Sequence, residues 1–326
     1  MTVTLKNEDP EYAGAVYHVL NRGNYRQDLF TVSGSAAAFE RVLIDSCARF
    51  GWRLYAYVVL SNHFHLCLKT VDANLVTGMQ WLQSTFANRF NRFVHERGHV
   101  FQGRYQALLV EEGESLLRVV NYIHLNPVRA GLQTIETLKA YSYGSFPKYF
   151  QRRCPSCLDA TDWLREAGDL KRTLAGLRCY HKYLATVAES DPQKRDALHS
   201  ELCRGWYIGT REGKKALLKD IAAGSRVDAD VVKGYGEEYA QVLLQEGLGR
   251  LDKRSQDLAS DLKLAAWKVI LASWIKLQCG VGNRWFSEYL YMGSIYSISK
   301  AVSAELSQGS RRKRMWRKLG TPKSKA

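Results

Sequence analysis

Two histidines stand one residue apart in "LSNHFHLCLK", residues 60–69, a stretch whose remaining residues read as a half-buried strand. Side chains alternate along a strand, so His63, His65, Cys67 and Lys69 share one face and Phe64, Leu66 and Leu68 the other. The apolar set belongs against a core, and the histidines then project together, as two imidazole ligands of one metal would. By itself such a pair is equally a polar strand face. A second cluster lies in "VVNYIHLNPVRAG", residues 119–131. Tyr122 and Asn126 are four apart, which stacks a phenol and a carboxamide on one helical face. If that helix crosses the open face of the sheet, His63, His65 and Asn126 form an N, N, O set with positions left for phosphate oxygens.

Each residue also has a plain structural role available. Asn126 before Pro127 can be a helix stop, Tyr122 an edge residue of an amphipathic helix. His124 points elsewhere on that helix and suits packing. His18, on another strand, is given a supporting role at most. Arg118, one turn before Tyr122, is read as a solvated charge in preference to a phosphate contact.

The elements that must position these groups are legible over the first 150 residues. "AGAVYHVLNRG" reads as a strand, "SGSAAAFERVLIDSCARFG" as a helix closed by Gly51, and "WRLYAYVVLS" with "HFHLCLKT" as a hairpin. Leu75, Met79, Leu82, Phe86, Phe90 and Phe93 recur at helical spacing, "YQALLVEE" is a short strand, and "GESLLRVVNYIHLN" is a helix expected to stop at Pro127. The order β-α-β-β-α-β plus a helix is the ferredoxin-like arrangement, an antiparallel sheet with helices on one face. The fold class expected is α+β, followed by an α-helical C-terminal region. Residues 1–150 form the first domain, 151–254 a helical linker region, 255–310 a helix-turn-helix domain and 311–326 a basic tail. Within the third, "NRWFSEYL" and "SIYSISKAVSAEL" flank a turn containing glycine, with Ser294 and Lys300 placed to meet phosphates and bases. The tail holds eight basic and no acidic residues, Arg311 and Arg312 among them, and is expected to be disordered when free.

The charge points to the partner. A formal excess of +15 favours nucleic acid or an anionic surface. No apolar run of about 18 residues is present to span a membrane, and the N-terminus lacks the pattern of a signal peptide. Seven cysteines without framework spacing fit a reducing cytoplasm, and the nucleoid is the expected location. Cys154 and Cys157 form a single CxxC, one short of a zinc ribbon, and are read as loop cysteines. In "FANRFNRFVHERGHVFQGRY", Arg89, Arg92, Arg97 and Arg104 alternate with aromatics as a single-strand binding surface would, or as an amphipathic helix with solvated arginines. The aromatic sheet-face signature of an RNA-binding module is absent.

"YHVLNRGN", "AYVVLSNHFHLCL", "FNRFVHERGHVFQGRYQALLVE" and "VVNYIHLNPVRAGL" together resemble the successive motifs of the single-tyrosine HUH transposases, and among these the REP-associated tyrosine transposases. The resemblance covers roughly residues 12–149. It implies that His63 and His65 are the paired metal ligands, Asn126 the third and Tyr122 the nucleophile. It also implies a Mg²⁺ or Mn²⁺ cofactor and cleavage of single-stranded or hairpin DNA through a 5′-phosphotyrosine, by a monomer or a homodimer. The alternative is a non-catalytic, sequence-specific DNA-binding regulator that keeps the fold.

Overall fold

The computed structural model describes residues 11–189, 201–203, 205–222, 236–279, 281–307 and 313–320. The protein divides into two compact units, one of residues 11–213 and one holding the described residues from 214 onward. The boundary expected at 150 therefore falls inside the first unit, as does part of the region expected to be a linker.

The first unit is built on a five-stranded sheet in the order β2-β3-β1-β4-β5. Its strands are β1 (Val16–Arg22), β2 (Arg53–Val59), β3 (His63–Lys69), β4 (Gln106–Val110) and β5 (Tyr207–Ile208). The first four pair antiparallel in the ferredoxin-like order. The fifth pairs parallel with β4 and comes from far along the sequence, so the sheet is mixed where a purely antiparallel one was expected. Two residues are too short a run for sequence periodicity to register as a strand.

Helices α1 (Ser35–Phe50) and α2 (Leu75–Val94) cover one face. Phe64 of β3 lies 4.6 Å from Phe39 of α1, which lies 5.3 Å from Phe86 of α2, ring centre to ring centre. α1 buries Phe39, Val42, Leu43 and Cys47, a helical stripe, and Gly51 ends it at φ 67°, its N–H bonding the Cys47 carbonyl. On α2 the stripe is buried from Leu75 to Phe90, but Phe93 is exposed, contrary to expectation. No residue of the last turn of α2 is buried, so this turn runs past the core.

The opposite face carries α3 (Glu114–Arg129), which packs on β2, β3 and β4. Helices thus lie on both faces, not on one. α3 also continues through Pro127 to Arg129. The missing Pro127 N–H costs the helix one i−4 bond, but the backbone beyond it is still held, the Ala130 N–H bonding the Asn126 carbonyl and the Leu132 N–H the Pro127 carbonyl, each at 2.9 Å. Of residues 115–127 only Arg118 escapes full burial. The outer side of α3 is covered by α5 (Thr161–Glu166) and α6 (Leu174–Ala188), which follow the short α4 (Ser145–Lys148). The covered outer side carries Asn121 and His124, polar residues whose partners are Tyr180 and Ser145, so no apolar stripe announced the second cover.

The second unit is helical. α8 (Ala266–Cys279) is its centre, burying Trp267, Ile270, Leu271, Trp274 and Ile275, and packs against α7 (Gly236–Arg250). The short helices α9 (Asn283–Tyr289) and α10 (Ile295–Ser307) fall where sequence placed a helix pair, with Tyr291 and Gly293 in the left-handed region between them. Arg311 and Arg312 lie outside the described residues. The tail expected to be disordered contains a helix, α11 (Lys313–Leu319). Burial of Leu319 and a bond from Trp316 Nε1 to Glu305 Oε1 at 2.9 Å hold it, contacts that a count of charges does not reveal.

Candidate active site

β3 sets the frame. Its alternation sends Phe64, Leu66 and Leu68 into the α1–α2 core and leaves His63 and His65 on the face beneath α3. The two imidazoles stand 5.2 Å apart at 83°. His63 is half-buried, its Nδ1 2.7 Å from Asn62 Oδ1. His65 is buried, its Nδ1 3.0 Å from Nε2 of His18 on the neighbouring β1. His18 is fully buried, stacks on His65 at 5.2 Å, and places its own Nδ1 2.9 Å from the Leu202 carbonyl oxygen.

α3 brings Tyr122 down onto this pair. Its ring meets His65 at 5.4 Å, nearly perpendicular, and His18 at 5.9 Å. The Arg129 guanidinium lies 4.6 Å from the centre of the same ring. The Tyr122 hydroxyl is 3.4 Å from Cys203 Sγ, and the side chain is only 2% exposed. Burial pushes the phenol well above its ordinary pKa and Cys203 adds to this; Arg129 and a hydrogen bond with Asn126 pull the other way. Asn126 is buried one turn on, its Nδ2 donating to the Tyr122 carbonyl at 2.9 Å. That leaves its carboxamide oxygen as the group suited to a cation or a donor.

β3 and α3 thus bring His63, His65 and Tyr122 together, with Asn126 one turn along α3 from Tyr122. The other residues singled out by sequence are not brought there. Arg118 is ion-paired with Glu201 at 2.9 Å on the partly exposed side of α3. Arg89 and Arg92 are exposed on α2, the far side of the sheet from Tyr122, and Arg104 is exposed ahead of β4. Ser294 shares a hydrogen bond with Ser297 Oγ at 2.8 Å and accepts from the Ser297 N–H, a cap on α10, while Lys300 is exposed on that helix. His124 packs as expected, fully buried between Tyr180 Oη at 2.9 Å and Ser145 Oγ at 3.0 Å. Burial pushes its pKa down to about 3.

Sequence reasoning gave His18 a supporting role at most and overlooked Arg129, Leu202 and Cys203. The β1–β3 register pairs His18 with Cys67, so strand alternation would have put it on the histidine face had that register been known. Cys203 is 81 residues from Tyr122 and carries no sequence signal at all. Among the described residues no group of three or more His, Cys, Asp or Glu side chains could hold a metal ion. No helix among them is long and apolar enough to cross a membrane.

A sheet carrying two histidines under a helix that presents tyrosine and asparagine is the site expected of the transposase class, and residues 11–126 match the family model described as transposase IS200-like. The resemblance read from the motifs is borne out over that segment. Among individual proteins, a Haemophilus influenzae protein described as a REP-associated tyrosine transposase is 24% identical over 119 residues, 33% of this chain and 66% of that protein. The match therefore spans just under two thirds of that relative's length. Two solved structures are also similar. One, described as a REP-associated tyrosine transposase bound to a REP hairpin, is 16% identical with a TM-score of 0.38, covering 49% of this chain and 93% of that one. The other, described as a transposase from Deinococcus radiodurans, is 21% identical with a TM-score of 0.27, covering 39% of this chain and 93% of that one.

Proposed function

We propose that this protein cuts and rejoins single-stranded or hairpin DNA, with Tyr122 as nucleophile and a divalent ion held by His63, His65 and Asn126. The observation that carries the reading is the meeting of His65, one of the β3 histidine pair, with Tyr122 of α3 at 5.4 Å. The family match over residues 11–126 and the net charge of +15 support DNA as the substrate.

The donor set fits such an ion. Asn62 Oδ1 can only accept, so His63 Nδ1 carries the hydrogen and Nε2 is left with its lone pair. Two imidazoles and a carboxamide oxygen suit Mn²⁺ or Mg²⁺ with positions to spare for phosphate oxygens. Bound there, the ion would polarise the scissile phosphate and offset charge in the transition state.

The protein's own residues do the rest. Tyr122 Oη forms a bond to phosphorus, the bond from phosphorus to the 3′ oxygen breaks, and the phenolic proton ends on that oxygen. The products are a 5′-phosphotyrosine and a free 3′-hydroxyl, and attack by a 3′-hydroxyl reverses the step without ATP. Arg129 lies over the ring, where its charge favours the phenolate. The exposed Arg89, Arg92, Arg104, Ser294 and Lys300 serve the flanking DNA, with α9 and α10 acting as a helix-turn-helix.

The test is a denaturation-resistant adduct between the protein and a labelled REP-type hairpin in the presence of Mn²⁺. Wild type forms it, Tyr122→Phe does not, and chelation abolishes it. A shifted complex without adduct or metal requirement would establish instead the non-catalytic regulator, the reading that the burial of Tyr122 favours.

A further inference from the structure

Three atoms outside the ligand set decide whether His65 can serve in it. The Leu202 carbonyl oxygen can only accept a hydrogen bond, so at 2.9 Å the His18 Nδ1 must carry the hydrogen. His18 is fully buried, and a charged ring there is costly, so its Nε2 is the bare nitrogen. Nε2 then accepts, and the group facing it at 3.0 Å, Nδ1 of His65, must be the donor. The remaining nitrogen of His65, Nε2, is left with its lone pair. The stacking of the two rings, 5.2 Å apart at 25°, holds that alignment.

We propose that His18 is a positioning residue that fixes His65 in the tautomer with its hydrogen on Nδ1, and that the backbone of Leu202 sets His18 in turn. The proposal rests on the reading of His65 as a metal ligand, because only that tautomer offers Nε2 to a cation. Two hydrogen bonds in series thereby run from the backbone at residue 202, through β1, to β3. They do for His65 what Asn62 does for His63, with a second histidine in place of the carboxamide. A ligand imidazole commonly gives its other N–H to such an outer partner, and loss of that partner typically costs about 10–100-fold in metal affinity.

The tautomer is read directly, without metal or DNA, by long-range proton–nitrogen correlation on histidine-labelled protein. Wild type should show His65 with hydrogen on Nδ1 and a bare Nε2. In His18→Phe, which removes the acceptor, Mn²⁺ affinity followed by electron paramagnetic resonance should fall about 10–100-fold. In His18→Gln, whose amide oxygen can accept from His65 Nδ1, the tautomer and most of the affinity should return. A merely space-filling role for His18 predicts the reverse, with Phe tolerated and Gln harmful. Finding the His65 hydrogen on Nε2 in wild type overturns the proposal even if a variant fails to fold. So does equal Mn²⁺ affinity in wild type and His18→Phe. If wild type shows the stated tautomer but binds no Mn²⁺, the metal reading fails and the positioning of His65 by His18 stands.

Discussion

Tyr122 and Cys203 meet hydroxyl to sulfur at 3.4 Å, although 81 residues separate them. Cys203 raises the phenol's pKa on top of the larger effect of burial. Cys203→Ala should therefore lower it. The phenolate exists above the pKa, so a lower value moves the rise of adduct formation to lower pH. Adduct yield against pH, with the Tyr122 ring-carbon resonance as an independent titration, checks both halves. An unchanged profile would mean that the thiol is a bystander.

His124 makes a different pH prediction. Its folded pKa lies near 3 against an ordinary 6.5, so below 6.5 the unfolded protein binds a proton that the folded one cannot. Stability should be greatest above pH 6.5 and decline as pH falls toward 3, by an upper bound on the order of 5 kcal/mol from this group. Urea unfolding at several pH values measures the slope. His124→Gln, which does not titrate, should flatten it while costing about 1–3 kcal/mol at pH 7 through its buried partners Tyr180 and Ser145.

Gly78 lies against Trp52, where an added Cβ would come within 2.1 Å of the indole. Trp52 cannot readily yield, since its Nε1 donates to Asn74 Oδ1 at 2.8 Å. Gly78→Ala should cost about 1–3 kcal/mol by overpacking. A thermal melt should show it as a fall of roughly 2–4 °C for each kcal/mol. Trp52→Leu combined with it should recover part of the loss.

Lys300 is exposed on α10 and has no part in the proposed chemistry. Lys300→Glu should weaken hairpin binding and reduce the salt slope of log affinity by about 1, if it neutralises one phosphate. Adduct formation at saturating DNA should be unchanged. A binding isotherm that ignores the substitution at every salt concentration would remove α10 from the DNA interface.

What sequence could and could not show follows from the range of each signal. The alternation that sends Phe64 inward and His65 outward is local, and so is the four-residue spacing of Tyr122 and Asn126. Both could be read directly from residues 60–69 and 119–131. The cover over α3 could not, because Trp163 and Tyr180, 4.5 Å apart, come from helices whose own patterns name no partner. Leu202 and Cys203 act through a backbone carbonyl and one thiol, and neither leaves a periodicity to detect. Pro127 misled because the bias of the preceding residue away from the helical region is a local preference, which the burial of α3 from both sides through Pro127 overrides.

The fifth strand bears on where this protein can be cut. The Leu109 and Glu111 amides on the outer edge of β4 give their hydrogens to the Trp206 and Ile208 carbonyls, at 2.7 and 2.8 Å. A fragment trimmed to the family-matched segment, residues 11–126, would strip that edge and bare a ready template for strand pairing with another molecule. It would also lose the aromatic lid of α3 and the carbonyl that orients His18. Such a fragment should precipitate, or pair edge to edge with its own copies, with its histidines misaligned. The family-matched segment is thus shorter than the compact unit that contains it, and a soluble truncation should end near residue 213.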